Sequence, residues 1–183
     1  TNDLELVRET IASAARHGAQ CLEKTNVTSY AYDRLKNLYV ISVGMPDGDA
    51  HRFLAKKMVN ATGPWVDGVR TTHGAKDHYL FPVAGSHIEL AKFLNHSVIL
   101  QARDGRVFFV INIGNRSRVG TTEWACPDPE NVRVTEADQE YLLESLSRVF
   151  PFRLFKREEI LNADAGVRPL SASPGATNVN SIS

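Results

Sequence analysis

Met58-Val59-Asn60-Ala61-Thr62-Gly63-Pro64-Trp65-Val66-Asp67 is the stretch that organises this sequence. Leu54 and Val59 bracket a run read as the end of a buried strand, Arg52–Asn60, which breaks at Gly63-Pro64. A small-residue turn at a strand end lets backbone come close to a flat or phosphorylated ligand, since no Cβ stands in the way at the glycine. Strands also end at Gly-Pro for steric reasons alone, so the turn needs support from elsewhere.

The segments before it read as a helix, a strand and a hairpin. Leu4, Val7, Ile11, Ala14 and Ala15 recur on one helical face over residues 3–17, with Asn2 or Asp3 as N-cap and Gly18 as the stop. Gln20–Tyr32 is rich in threonine, valine and tyrosine, Leu38–Val43 is a short apolar strand, and Met45–Ala50 supplies a tight turn. No GxGxxG turn occurs anywhere, so the opening unit of a nucleotide-binding α/β domain is missing.

A polar connection over 66–76, with Asp67-Gly68 and His73-Gly74, predicts a boundary near residue 75. Beyond it, Tyr79–Val83 and Ser86–Leu90 flank Ala84-Gly85, and Ser97–Ala102 and Val107–Ile113 flank Arg103–Arg106. Arg118–Glu123 follows, and the whole reads as an antiparallel meander. Thr135 with Asp138 three residues on predicts a capped helix that Pro151 ends. Ile160–Leu170 is a last strand or loop, and the Ser/Asn/Gly/Pro-rich tail 171–183 is expected as a flexible connector. The fold class is therefore α+β, or mixed α/β, in three parts: 1–75, 76–162 and 163–183.

Composition excludes several roles. Twenty-one basic and 21 acidic residues give zero formal charge, so no basic field recruits nucleic acid. No run is long and apolar enough to span a bilayer, and the amino terminus lacks a secretory pattern, so the expected location is cytoplasmic. Cys21 and Cys126 have no CxxC partner and read as two reduced, partly buried thiols.

Among residues able to do chemistry, His87 in Gly85-Ser86-His87-Ile88 reads first as a structural or exposed histidine. The second reading is a base or hydrogen-bond partner for a substrate hydroxyl. Arg168, between Val167 and Pro169, needs an anionic partner, either a buried carboxylate or a substrate phosphate or carboxylate. Gly120-Thr121-Thr122-Glu123, two hydroxyls and a carboxylate at a strand end, could position a ligand, but reads first as cross-strand threonine pairing. Arg116 and Arg118 read as a solvated loop, and Lys56-Lys57 and Arg157-Glu158-Glu159 as solvent faces.

Taken in order, Val59–Val66, Gly85–Ile88, Val107–Ile111, Gly120–Thr122, Pro129–Thr135 with Tyr141–Leu143, and Gly166–Leu170 resemble the FAD-dependent glycerol-3-phosphate dehydrogenases. These belong to the oxidoreductases related to D-amino-acid oxidase. The resemblance covers nearly the whole chain, and implies an internal fragment with a partial FAD-binding layer followed by an antiparallel substrate-binding sheet and helix. It implies FAD as cofactor, lined by Ala61, Thr62 and Gly63, with the Val27 backbone at the adenine. His87 would hold or deprotonate the substrate C2 hydroxyl, and Arg168 would bind the anionic end. The implied reaction oxidises sn-glycerol 3-phosphate to dihydroxyacetone phosphate by hydride transfer, with quinone or oxygen as final acceptor. Peripheral membrane contact and a homodimer are compatible with the resemblance. The isolated 183 residues are expected to bind FAD poorly and to have little or no activity. Departures fall at Ala84, where a basic residue is usual, at Asn112-Ile113, where many relatives have Pro-Trp, and at Glu123, where aspartate is frequent. Two other readings stand beside this one: a related flavin oxidase of amino or 2-hydroxy acids, in which Arg168 clamps a carboxylate, and a non-catalytic binding module.

Overall fold

The computed structural model describes residues 3–46, 48–72 and 74–171. Asn2 as helix cap, Asp47 of the hairpin turn, His73 and the tail beyond Ser171 lie outside the described residues. The chain divides into two compact units, between Val59 and Asn60 rather than near residue 75.

The first unit holds α1 (Asp3–Arg16) and the antiparallel strands β1 (Asn26–Asp33), β2 (Leu38–Gly44) and β3 (Ala50–Ala55), in sheet order β1-β2-β3. Asp3 and Glu5 in the first turn of α1 and Arg16 in the last complement the helix dipole. Asp33 accepts from the Leu35 and Lys36 N–H groups at 3.0 and 3.1 Å, and Asn37 takes a left-handed φ of 53°, which closes the first hairpin. Val43 is this unit's one buried apolar residue among those described, and Cys21 is exposed rather than partly buried.

The strand expected to run to Asn60 stops at Ala55, where its ladder to β2 ends with the Tyr39–Ala55 pair. Beyond it the Asn60 side chain is committed to the next element. Its Oδ1 accepts from Thr62 Oγ1 at 2.8 Å and from the Thr62 N–H at 3.3 Å, and its Nδ2 donates to the Val66 carbonyl at 3.1 Å. That side chain builds a helix entrance. Gly63–Trp65 form a 3-10 turn running into α2 (Val66–Thr71), so the expected polar connection is in part a helix. Pro64 suits a helix start because its φ is preset and its missing N–H would have had no partner there.

The second unit is a six-stranded antiparallel sheet with one long helix. Its elements are β4 (Leu80–Ala91), β5 (Val98–Gln101), β6 (Val107–Ile113), β7 (Arg116–Gly120), β8 (Trp124–Ala125), α3 (Glu136–Val149) and β9 (Asn162–Ser171). The strand β4 is its axis, pairing with β9 over Leu80–Glu89, with β7 over His87–Ala91 and with β8 at Val83 and Ala84. Ala84-Gly85 is therefore the middle of one 12-residue strand, not a break between two. Buried Ala84 and the Gly85 backbone are small because neighbours crowd them, and small residues had looked like a turn.

Ile88 and Leu90 of β4, Phe108 and Val110 of β6 and Val119 of β7 form the core with Leu142 and Leu146 of α3 and with Phe155. The expected helix cap is present. Asp138 N–H donates to Thr135 Oγ1 at 3.2 Å while the Thr135 N–H donates to Asp138 Oδ2 at 2.8 Å. Ser86 Oγ donates to the same carboxylate at 3.2 Å, which ties the start of α3 to the back of β4. Asp67 of α2 accepts from the Tyr79 and Leu80 N–H groups, both at 2.9 Å to Oδ2, and pins the entry to that strand.

Candidate functional site

Alternation along β4 puts Ser86, Ile88 and Leu90 toward α3 and turns Gly85, His87 and Glu89 to the opposite face. Residues paired with these share that face: Arg118 and Gly120 on β7, and Asp164 and Gly166 on β9, with Arg168 opposite Val83. His87 and Arg168, singled out separately in the sequence, thus stand on one side of adjoining strands. Thr122 locks the strand beneath them. Its Oγ1 accepts from the Ser86 N–H at 2.9 Å, and its own N–H donates to the Ser86 carbonyl at 3.3 Å.

Arg168 Nη2 donates to Thr121 Oγ1 at 2.8 Å, and that hydroxyl donates in turn to the Thr122 carbonyl at 2.8 Å. Nη1 is buried without a hydrogen-bond partner, and Glu123 Oε1 lies 3.9 Å away. A guanidinium donor buried without a hydrogen bond is costly, and here, among the described residues, only the Glu123 carboxylate stands near its charge. Gly85 makes the room. A Cβ there would lie 2.6 Å from the Thr122 carbonyl oxygen and 2.9 Å from Arg168 Nη1.

His87 sits between Gly120 and Asp164, its partners on either side. Nδ1 is 4.0 Å from Asp164 Oδ1, beyond hydrogen-bonding range. Burial, then the Arg118 cation, lower the imidazole below its ordinary 6.5; Asp164 opposes them, and Arg168 adds to the lowering. A neutral imidazole is the form that can accept a proton.

Four participants were not apparent from the sequence. Arg118 forks onto Asp164, Nη1 to Oδ2 at 2.6 Å and Nη2 to Oδ1 at 2.5 Å, and reaches Glu89 at 3.4 Å. Hydrogen bonding to Asp164 raises the guanidinium further despite its partial burial. Arg116 donates to Glu89 at 2.6 Å. Both arginines belong to a strand rather than the expected solvated loop, and the hydroxyls of Thr121 and Thr122 bond Arg168 and the Ser86 backbone rather than each other or a cross-strand threonine. Spacing of two in Asp164, Gly166 and Arg168, and in Gly85, His87 and Glu89, is the signal that could have found their common face.

Over residues 1–180 the chain matches the family described as FAD dependent oxidoreductase. The chain belongs to that family. Among its curated relatives is the aerobic glycerol-3-phosphate dehydrogenase of Staphylococcus epidermidis, 35% identical over 182 residues, 96% of this chain and 33% of the relative. The enzyme of the same name from Bacillus subtilis is 30% identical over 180 residues, 96% of this chain and 32% of the relative. The solved glycerol-3-phosphate dehydrogenase of Bacillus halodurans, complexed with FAD, superposes with a TM-score of 0.87 at 29% identity. That match covers 94% of this chain and 36% of the solved one. The chain spans about a third of the length of the curated relatives it matches.

The sequence candidates for holding FAD are divided between the units. Val27 is on β1, opposite Val43, and is 53% exposed. Ala61, Thr62 and Gly63 lie in the second unit, in the entrance to the 3-10 turn that packs against β9. A Cβ on Gly63 would meet open space, so glycine is demanded there by its φ of 57° and not by a close neighbour. Arg168 Nη1, buried without a hydrogen bond, fits a face on which a further group is bound, whereas the Gly85 backbone is already covered by Thr121, Thr122 and Arg168. Among the described residues no cluster could hold a metal ion, and no helix is long and apolar enough to cross a membrane.

Proposed function

We propose that this chain is the substrate-side and partial FAD-side portion of a glycerol-3-phosphate dehydrogenase. The observation that carries the reading is the buried Nη1 of Arg168, without a hydrogen bond and on the same sheet face as a histidine disposed to be neutral. Arg168 binds the phosphate of sn-glycerol 3-phosphate as a cation and donor. His87 accepts the C2 hydroxyl proton as the C2 hydrogen leaves with its electron pair, so a carbonyl forms and dihydroxyacetone phosphate results. Bound FAD would supply the two-electron acceptor.

Ala61, Thr62, Gly63 and the Val27 backbone are the residues that would line the flavin. Quinone or oxygen would then remove the electrons, and a quinone acceptor calls for peripheral contact at the cytoplasmic membrane face. Self-association as a homodimer is readable by light scattering. A second reading, a flavin oxidase of amino or 2-hydroxy acids, rests on the same Arg168, which can clamp a carboxylate bidentately.

Calorimetric titration of the chain with glycerol 3-phosphate, with lactate and with FAD, beside Arg168→Ala, tests the proposal. Weak binding of glycerol 3-phosphate that exceeds lactate and vanishes in the variant is expected, with little FAD bound. Preference for lactate supports the second reading, and equal binding by the variant contradicts both.

A further inference from the structure

His87 is the middle of a row of three residues across three strands, Gly120 on β7, His87 on β4 and Asp164 on β9. The Cδ2–Nε2 edge of its ring lies over Gly120, where a Cβ would come within 2.9 Å of Nε2. Nδ1 is the nitrogen recorded toward Asp164. The ring makes no hydrogen bond of its own among the described residues, so its tautomer is decided by the charges around it.

Those charges come from every strand of the row. Asp164 and Arg168 face it from β9, Arg118 from β7, and Glu89 stands two residues along β4 itself, bound to Arg118 and Arg116. Asp164 cannot swing away, because both its oxygens are held by the Arg118 fork. Arg118 is held in turn by Glu89. The network therefore presents one carboxylate to one ring nitrogen.

We propose that Asp164, fixed by Arg118, is the positioning residue of His87: it draws the neutral ring's proton to Nδ1 and leaves Nε2 as the basic nitrogen over Gly120. This rests on the reading of His87 as the proton acceptor. It gives that reading a direction, because the substrate hydroxyl must then approach the Nε2 edge. It also supplies the counter-charge for the imidazolium that forms when the proton arrives, against the two arginines. Asp164 touches neither substrate nor reacting atoms, and acts only through the ring.

Long-range nitrogen–proton NMR on the 183-residue chain separates protonated from unprotonated imidazole nitrogens and tests this directly. Above its titration, His87 is expected to carry its proton on Nδ1. Asp164→Asn is expected to shift the population toward Nε2–H and to lower the titration midpoint further, and Asp164→Glu to restore the wild-type pattern at least in part. An Nε2–H tautomer in the wild-type chain overturns the proposal. So does an Asp164→Asn variant that keeps both nitrogens unchanged and merely melts earlier, the result of a purely structural role. Should Asp164→Asn fail to fold, the wild-type and Asp164→Glu spectra still decide. Failure of the functional reading appears elsewhere, in the glycerol 3-phosphate titration, so the two failures are distinguishable.

Discussion

Gly120 lies directly beside the His87 ring, opposed to it across β4 and β7, in a space that no side chain could share with the imidazole. A Cβ at Gly120 would lie 2.8 Å from His87 Cγ and closer still to Cδ2. Gly120→Ala is thus expected to turn the ring and to cost about 1–3 kcal/mol, the usual range for overpacking. Chemical denaturation reads the stability, and the His87 ring resonances read the displacement. An unchanged ring environment would count against the packing described.

Gly85→Ala meets backbone, not only side chain, since its Cβ would be 2.6 Å from the Thr122 carbonyl oxygen. That carbonyl lies between β7 and β8 and is held by the Thr121 hydroxyl, so it cannot turn aside as an imidazole can. The expected loss is therefore larger than for Gly120→Ala, and comparison of the two denaturation midpoints checks the order.

Arg168 behaves differently from a structural arginine. Its buried Nη1 makes no hydrogen bond, with the Glu123 carboxylate 3.9 Å away, and an unsatisfied buried donor is worth about 1–3 kcal/mol against the fold. Arg168→Met, which keeps the apolar stem, is expected to leave stability within about 1 kcal/mol of the parent or to raise it. Anion binding should disappear in the same variant. A loss well beyond what the Thr121 hydrogen bond and the Glu123 ion pair supply would mean that Arg168 is a structural residue.

Asp67 shows the contrasting case of a satisfied buried carboxylate. Burial raises its pKa, but the Leu80 and Tyr79 N–H groups and Arg70 outweigh burial and lower it below 3.8. A lowered folded-state value means stability that is present above about pH 4 and lost as pH falls through the folded pKa. Asp67→Ala is expected to destabilise the second unit by about 1–3 kcal/mol at pH 7. Denaturant melts at pH 7 and at pH 3 should show the difference between variant and parent shrinking on the acid side.

His87 carries the opposite linkage. Its folded value lies below the ordinary 6.5, so the unfolded chain binds the proton more readily and folding is opposed as pH falls through that region. His87→Gln should remove this part of the acid sensitivity. Stability of parent and variant measured from pH 8 to pH 5 is expected to converge in slope above pH 7 and to diverge below it.

Local chemistry is what the sequence displayed most clearly. Thr135 and Asp138 cap α3 through contacts three residues apart, and both the helix and its start were legible. Asn60-Ala-Thr-Gly-Pro64 was harder, because Gly-Pro can close a strand or open a helix, and Asn60's reach to Val66 selects the second. Ala84-Gly85 looked like a turn because small residues mark both turns and crowded strand centres. The pairing of β4 with β9 joins segments some eighty residues apart, and only that pairing brings Asp164 to His87 and Arg168 above Val83. Arg118, read as a loop residue, acquires its role from three strands at once.

In the proposed reaction Arg168 Nη1 takes the phosphate of a substrate whose hydroxyl His87 receives. Nitrogen-detected NMR of the arginine guanidinium groups and the His87 ring, followed while glycerol 3-phosphate and then plain glycerol are added, tests it most directly. Glycerol 3-phosphate is expected to move the Arg168 and His87 signals together, and glycerol to move neither at the same concentration. Shifts confined to other arginines, or the same response to glycerol, would contradict it.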